Sequence, residues 1–89
     1  MKSTNYVLSG QGFEPEPFQE FKLEFLTEPF EDYANRVVKE LNEAEYLTVT
    51  NVVKTDTMLR VTCDDSRNGF TYVCTEKVVS NEDIKRLMV

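Results

Sequence analysis

Histidine and tryptophan are absent from this 89-residue chain. Without histidine, the commonest general base and the commonest metal ligand are both missing. Ser-His and Cys-His nucleophile pairs therefore cannot form within the chain. Two cysteines with no histidine are also too few for a four-ligand structural zinc site. Long apolar runs are lacking: none approaches the roughly 20 residues that span a bilayer. The opening decapeptide has only Tyr6-Val7-Leu8 as an apolar core, too short for a secretory segment. The expectation is a soluble, cytoplasmic chain with no membrane association. Positive charge is scarce as well, with 10 Lys and Arg against 16 Asp and Glu for a net charge of −6. No basic stripe is available to meet phosphates, which argues against direct nucleic-acid binding. Ser9-Gly10-Gln11-Gly12 lacks the lysine and the following helix of a phosphate-binding loop, and no cofactor or metal is expected.

What remains is enough for one core. Apolar residues make up 40% of the chain and charged residues 29%, which suits a folded domain and is too apolar for a disordered one. A chain this short supports one domain over residues 1–89. Tyr6-Val7-Leu8 reads as a first strand ended by the two glycines, and Phe13-Glu14-Pro15-Glu16-Pro17 as an extended loop whose prolines exclude a central strand. From Phe18 to Leu26, Phe21, Leu23 and Phe25 alternate with Lys22 and Glu24, the period of a half-buried strand. That alternation assigns Phe21 and Phe25 to an inner face.

Pro29 in a first helical turn, capped by Thr27 or Glu28, opens a helix with Phe30, Tyr33, Ala34, Val37, Val38 and Leu41 on one stripe and Asn42 as its terminator. Three β-branched stretches, Tyr46–Val53, Met58–Cys63 and Phe70–Thr75, read as an antiparallel meander. A two-residue Asn68-Gly69 turn sets Arg67 opposite Phe70 and Cys63 opposite Cys74. Leu59, Val61, Cys63, Phe70, Tyr72 and Cys74 then share one face, and a turn at Lys54-Thr55-Asp56 adds Leu47 and Val49 to it. Thr48, Thr50, Thr62, Thr71 and Thr75 with Arg60 occupy the other. Ser80 with Asp83 three positions on is a capping pattern for a short helix whose apolar side holds Ile84, Leu87 and Met88. The order β-β-α-β-β-β-α describes an α+β fold: one antiparallel or mixed sheet with an amphipathic helix on its aliphatic face.

The charge is lopsided. Met1 to Glu45 holds ten carboxylates against four cations, whereas Tyr46 to Val89 holds six of each. The stretch from Gly12 to Asp32 has five of the six phenylalanines among seven carboxylates. Phe13 and Phe18, flanking the proline loop, together with Glu14, Glu16 and Glu20, form a candidate partner-binding surface: rings supply buried area and carboxylates supply steering. A solvated acidic face is the plainer reading of the charge, and carboxylate pairs such as Glu14 with Glu16 lack the desolvation that acid-base chemistry needs. Cys63 and Cys74 fit a bridge or two packed thiols, and a cytoplasmic setting favours thiols. The expected function is a non-enzymatic, acidic protein-binding module, an inhibitor or adaptor of the type phages and mobile elements encode. It would block a basic, nucleic-acid-binding surface of a partner protein. The alternative is a structural or accessory subunit that self-associates, as a homodimer, through its sheet.

Overall fold

The computed structural model of the chain describes residues 5–14 and 18–87. The elements follow the expected order: β1 (Asn5–Glu14), β2 (Phe18–Phe25), α1 (Phe30–Glu43), β3 (Leu47–Lys54), β4 (Met58–Asp65), β5 (Phe70–Ser80) and α2 (Asn81–Leu87). All neighbouring strands are antiparallel, in the order β2-β1-β5-β4-β3. The strands β3, β4 and β5 form the meander, the β1–β2 hairpin adds to its β5 side, and α1 carries the chain from one sheet edge to the other.

The helix forms where the stripe predicts. Phe30, Tyr33 and Ala34 are buried, and Val37, Val38 and Leu41 pack against the core they make with Val7, Leu59, Val61 and Cys63. Leu59 and Val61 are fully buried, each worth about 1.5–3 kcal/mol relative to exposure. Its ends differ from expectation. Pro29 itself is the N-cap, with its carbonyl accepting from the Tyr33 amide at 3.1 Å and no side-chain cap from Thr27 or Glu28. Glu31 and Asp32 in the first turn supply the favourable charge instead. Asn42 does not stop the helix, which continues to Glu43. The second helix is capped as predicted, the Asp83 amide donating to Ser80 Oγ at 3.2 Å and the Ser80 amide to Asp83 Oδ2 at 3.3 Å. Met88 lies outside the described residues.

Three further expectations are corrected. First, Gly10 and Gly12 do not end the first strand, because β1 continues to Glu14 and is paired on both sides. Gly10 lies opposite Phe21, and a Cβ there would come within 3.0 Å of the Phe21 ring. The glycine makes room for an aromatic ring on the neighbouring strand and does not mark a turn. Phe13 is correspondingly part of a strand and not of a loop.

Second, the β4–β5 register is two residues away from the derived one: Cys63 faces Tyr72, Cys74 faces Val61, and Asp65 faces Phe70. The connection is the four-residue loop 66–69, closed by the Gly69 amide donating to the Asp65 carbonyl at 2.9 Å. Asp65 Oδ1 accepts from the Arg67 and Asn68 amides, and Oδ2 accepts from Asn68 Nδ2. This side-chain cap favours the longer loop, in which only Gly69 takes positive φ, at 73°. A shift of two preserves every residue's face, so the shared face is the expected one, although Phe70 at its end is 36% exposed, while the cysteine pairing is not the expected one. Both thiols are buried and free. Third, Phe21 and Phe25 are not in the core, for a reason that emerges from the site.

Candidate functional site

Beyond Tyr6, β1 sends Val7, Ser9, Gln11 and Phe13 to the helix side of the sheet, opposite Glu24, Lys22 and Glu20 of β2 in register. The helix packs on β3 and β4, so this half of the sheet is left as an open cleft of about 310 Å³ between α1 and β2. Lys22 and Glu24 form its outer wall, ion-paired at 2.6 Å, and Arg36 pairs with Glu28 while lying over the Tyr33 ring.

Glu76 lines the cleft from the middle of β5 and is only 3% exposed. Its Oε1 accepts from Ser9 Oγ at 2.9 Å and from Cys74 Sγ at 3.5 Å, and its Oε2 accepts from Tyr33 Oη at 3.1 Å. Burial pushes its carboxyl above the ordinary range, partly opposed by these donors. Burial and the neighbouring Glu76 charge together push the Cys74 thiol up to about 12, which keeps it protonated and a poor nucleophile at neutral pH. The network ties α1 to β1 and β5. Among the described residues no buried polar side-chain atom lacks a partner, and no cluster of three metal-ligating side chains occurs. Chemically the arrangement is a closed polar tether.

The other face of the sheet is divided. Over β3, β4 and β5 it carries the expected Thr48, Thr50, Thr62, Thr71 and Thr75 with Arg60. Over β2 it carries Phe21, Leu23 and Phe25, at 63%, 47% and 57% exposure. Phe25 meets the Tyr6 ring edge-on at 5.5 Å, and Leu8 stands opposite Leu23. Alternation along β2 had identified two faces without saying which one a helix covers. The helix does not reach β2, so Lys22 and Glu24 occupy its helix side and the apolar residues are left on the open face.

Among the described residues, the strand β2 is also a free edge. The Leu26 amide donates to the Asn5 carbonyl at 3.1 Å, which makes Asn5–Leu26 a hydrogen-bonded pair. Alternation then makes Val7–Glu24 and Ser9–Lys22 bonded pairs and leaves Tyr6–Phe25, Leu8–Leu23 and Gly10–Phe21 non-bonded. The outward amides and carbonyls of the edge thus belong to Gln19 and to Phe21, Leu23 and Phe25, the last three being the residues with the exposed apolar side chains. The opposite edge, β3, is interrupted by a bulge at Thr50, a feature that discourages strand addition. No such irregularity interrupts the β1–β2 ladder.

The sequence-derived surface is not gathered on one face. Phe13 is half-buried on the helix side, edge-on to Tyr72 at 5.3 Å. Glu20 is exposed on that same side opposite Gln11, whereas Glu14 is exposed on the other face, opposite Thr71. Glu16 and the side chain of Phe18 lie outside the described residues. Nothing in the local sequence marks Phe21, Leu23 and Phe25 as a surface, since Gly10 reads as a turn glycine until its pairing with Phe21 is known. The sequence reading also passed over Glu76, whose signal was a lone carboxylate in the β-branched run of β5. Comparison with protein-family models, with curated proteins and with solved structures finds no match for the chain.

Proposed function

We propose that the chain is a non-enzymatic, acidic protein-binding module that engages a partner protein through β2. The observation that carries this reading is the coincidence, on Phe21, Leu23 and Phe25, of unpaired edge backbone with exposed apolar side chains. Strand addition draws affinity from such backbone groups and selectivity from alternate side chains, and monomers rarely leave a contiguous apolar patch open. The deepest carboxylate, Glu76, has its donors supplied within the chain, which supports binding over catalysis.

A second reading concerns the charge. The net charge of −6 and the exposed Glu14 and Glu20 favour a partner with a basic surface, as for an inhibitor or adaptor that covers a nucleic-acid-binding face. Affinity capture from cell extract, run with the wild type and with Leu23→Lys at two salt concentrations, tests both. Docking through β2 predicts that retained proteins are lost with Leu23→Lys. Identical retention by both forms refutes it. Retention that falls steeply with salt supports the basic partner, and salt-insensitive retention removes it.

A further inference from the structure

We propose that the occupant of the β2 edge is a second copy of this chain, added antiparallel about a two-fold axis with Leu23 opposite Leu23 of the second copy. This rests on β2 being the docking strand and goes on to name the partner and the register. A two-fold perpendicular to the sheet keeps each residue on its own face, so only a few registers are open to β2. One centred on Lys22 sets the two Lys22 residues against each other and Glu20 against Glu24 of the second copy. A register centred on Glu24 sets like carboxylates together, and one centred on Phe21 faces Leu23 with Gln19. Centring on Leu23 does none of these. It places Phe21 opposite Phe25 of the second copy, Leu23 opposite Leu23, and Lys22 opposite Glu24 of the second copy, twice by symmetry.

The backbone permits that register, as it permits the others that keep each residue on its own face. Phe21, Leu23 and Phe25 hold the outward amides and carbonyls, so in this register each faces another residue with free groups and forms a bonded pair. Lys22 and Glu24 then fall in non-bonded pairs, where side chains approach most closely. They are ion-paired within the chain and well exposed, at 70% and 41% of their side-chain surface. In the dimer each Lys22 lies between two Glu24 carboxylates, in an alternating four-charge cluster. On the opposite face six apolar side chains, three from each copy, line up across the junction, and the two five-stranded sheets become one.

The self-complementary charges give the test. Lys22→Glu and Glu24→Lys each turn both cross-strand pairs into like-charge pairs, and neither residue is in the core. Sedimentation velocity over a dilution series reads the dimer for the wild type, each variant and their equimolar mixture. Each variant alone should dimerise about tenfold or more weakly than the wild type, since a cross-strand pair contributes a few tenths to one kcal/mol and its reversal as much again. The mixture should return to within a few-fold of wild type, because the carboxylate introduced at position 22 of one variant then faces the ammonium introduced at position 24 of the other. A wild type that stays monomeric up to roughly millimolar concentration, a Glu24→Lys chain that dimerises normally, or a mixture that does not recover overturns the proposal. Loss of the self-pair leaves the docking reading intact if Leu23→Lys still abolishes capture. Unchanged capture by Leu23→Lys removes that reading whatever the oligomeric state.

Discussion

Replacing Tyr33 by phenylalanine removes one oxygen from the tether beneath α1 and little else. The Tyr33 ring is buried and stacks with Phe30 at a centroid distance of 6.1 Å, contacts that phenylalanine keeps, so no cavity opens. What is lost is the 3.1 Å bond to Glu76 Oε2. A hydrogen bond to a charged group contributes about 1.5–3 kcal/mol, and Glu76 is only 3% exposed, so the expected loss is about 1.5–3 kcal/mol. Urea unfolding at pH 7 measures it, and a double-mutant cycle with Glu76→Gln assigns it: against the neutral amide the same change should cost less than about 1 kcal/mol.

The pH dependence gives a further check. Because burial raises the folded-state carboxyl above its ordinary 4.5, the favourable contribution of protonated Glu76 is complete below that value. It is lost as pH rises through the folded-state value. Removing the Tyr33 donor raises that value further, so the destabilisation by Tyr33→Phe should be greater at pH 7 than at pH 4. A cost unchanged in the Glu76→Gln background, or equal at both pH values, refutes the argument.

Cys63 and Cys74 should react with a thiol reagent slowly in the native protein and stoichiometrically after unfolding, since burial raises both thiols; rapid native labelling would contradict their placement. Gly69 is the one described residue with positive φ, and nothing lies within 4 Å of a Cβ built there. Gly69→Ala should therefore cost about 1 kcal/mol of stability through backbone strain alone. Gly69→Asn should cost less, as thermal unfolding of the two variants would show.

The elements and their order were legible because each has a strong local signature: the stripe from Phe30 to Leu41, the Ser80–Asp83 cap and the β-branched meander. The shared face from Leu59 to Cys74 was legible for a related reason, since face membership depends on parity and survives a register error of two; the exposure of Phe70 at its end was not. The register itself was not, because it depends on the Asp65 side chain choosing the loop. Gly10 was misread because a strand glycine opposite an aromatic and a turn glycine look alike until the neighbouring strand is known. The surface was the least legible. Which face of β2 is covered depends on how far α1 extends over the sheet, a property of tertiary placement that no local pattern of Phe21 to Phe25 contains.

The interior position of β5 has a consequence for how the chain acquires its shape. Within the sheet the two hairpins that precede it, β1–β2 and β3–β4, are not neighbours; β5 lies between them and pairs with β1 and β4. A chain folded only as far as Asp65 therefore lacks the central strand of the sheet. Completing the sheet requires β5 to pair with β1, where Ser9 and its partner Glu76 are 67 positions apart in sequence, the kind of long-range contact that slows folding. Until β5 is in place β1 and β2 have only each other as strand partners, and the exposed apolar residues Phe21, Leu23 and Phe25 are then open to misassociation.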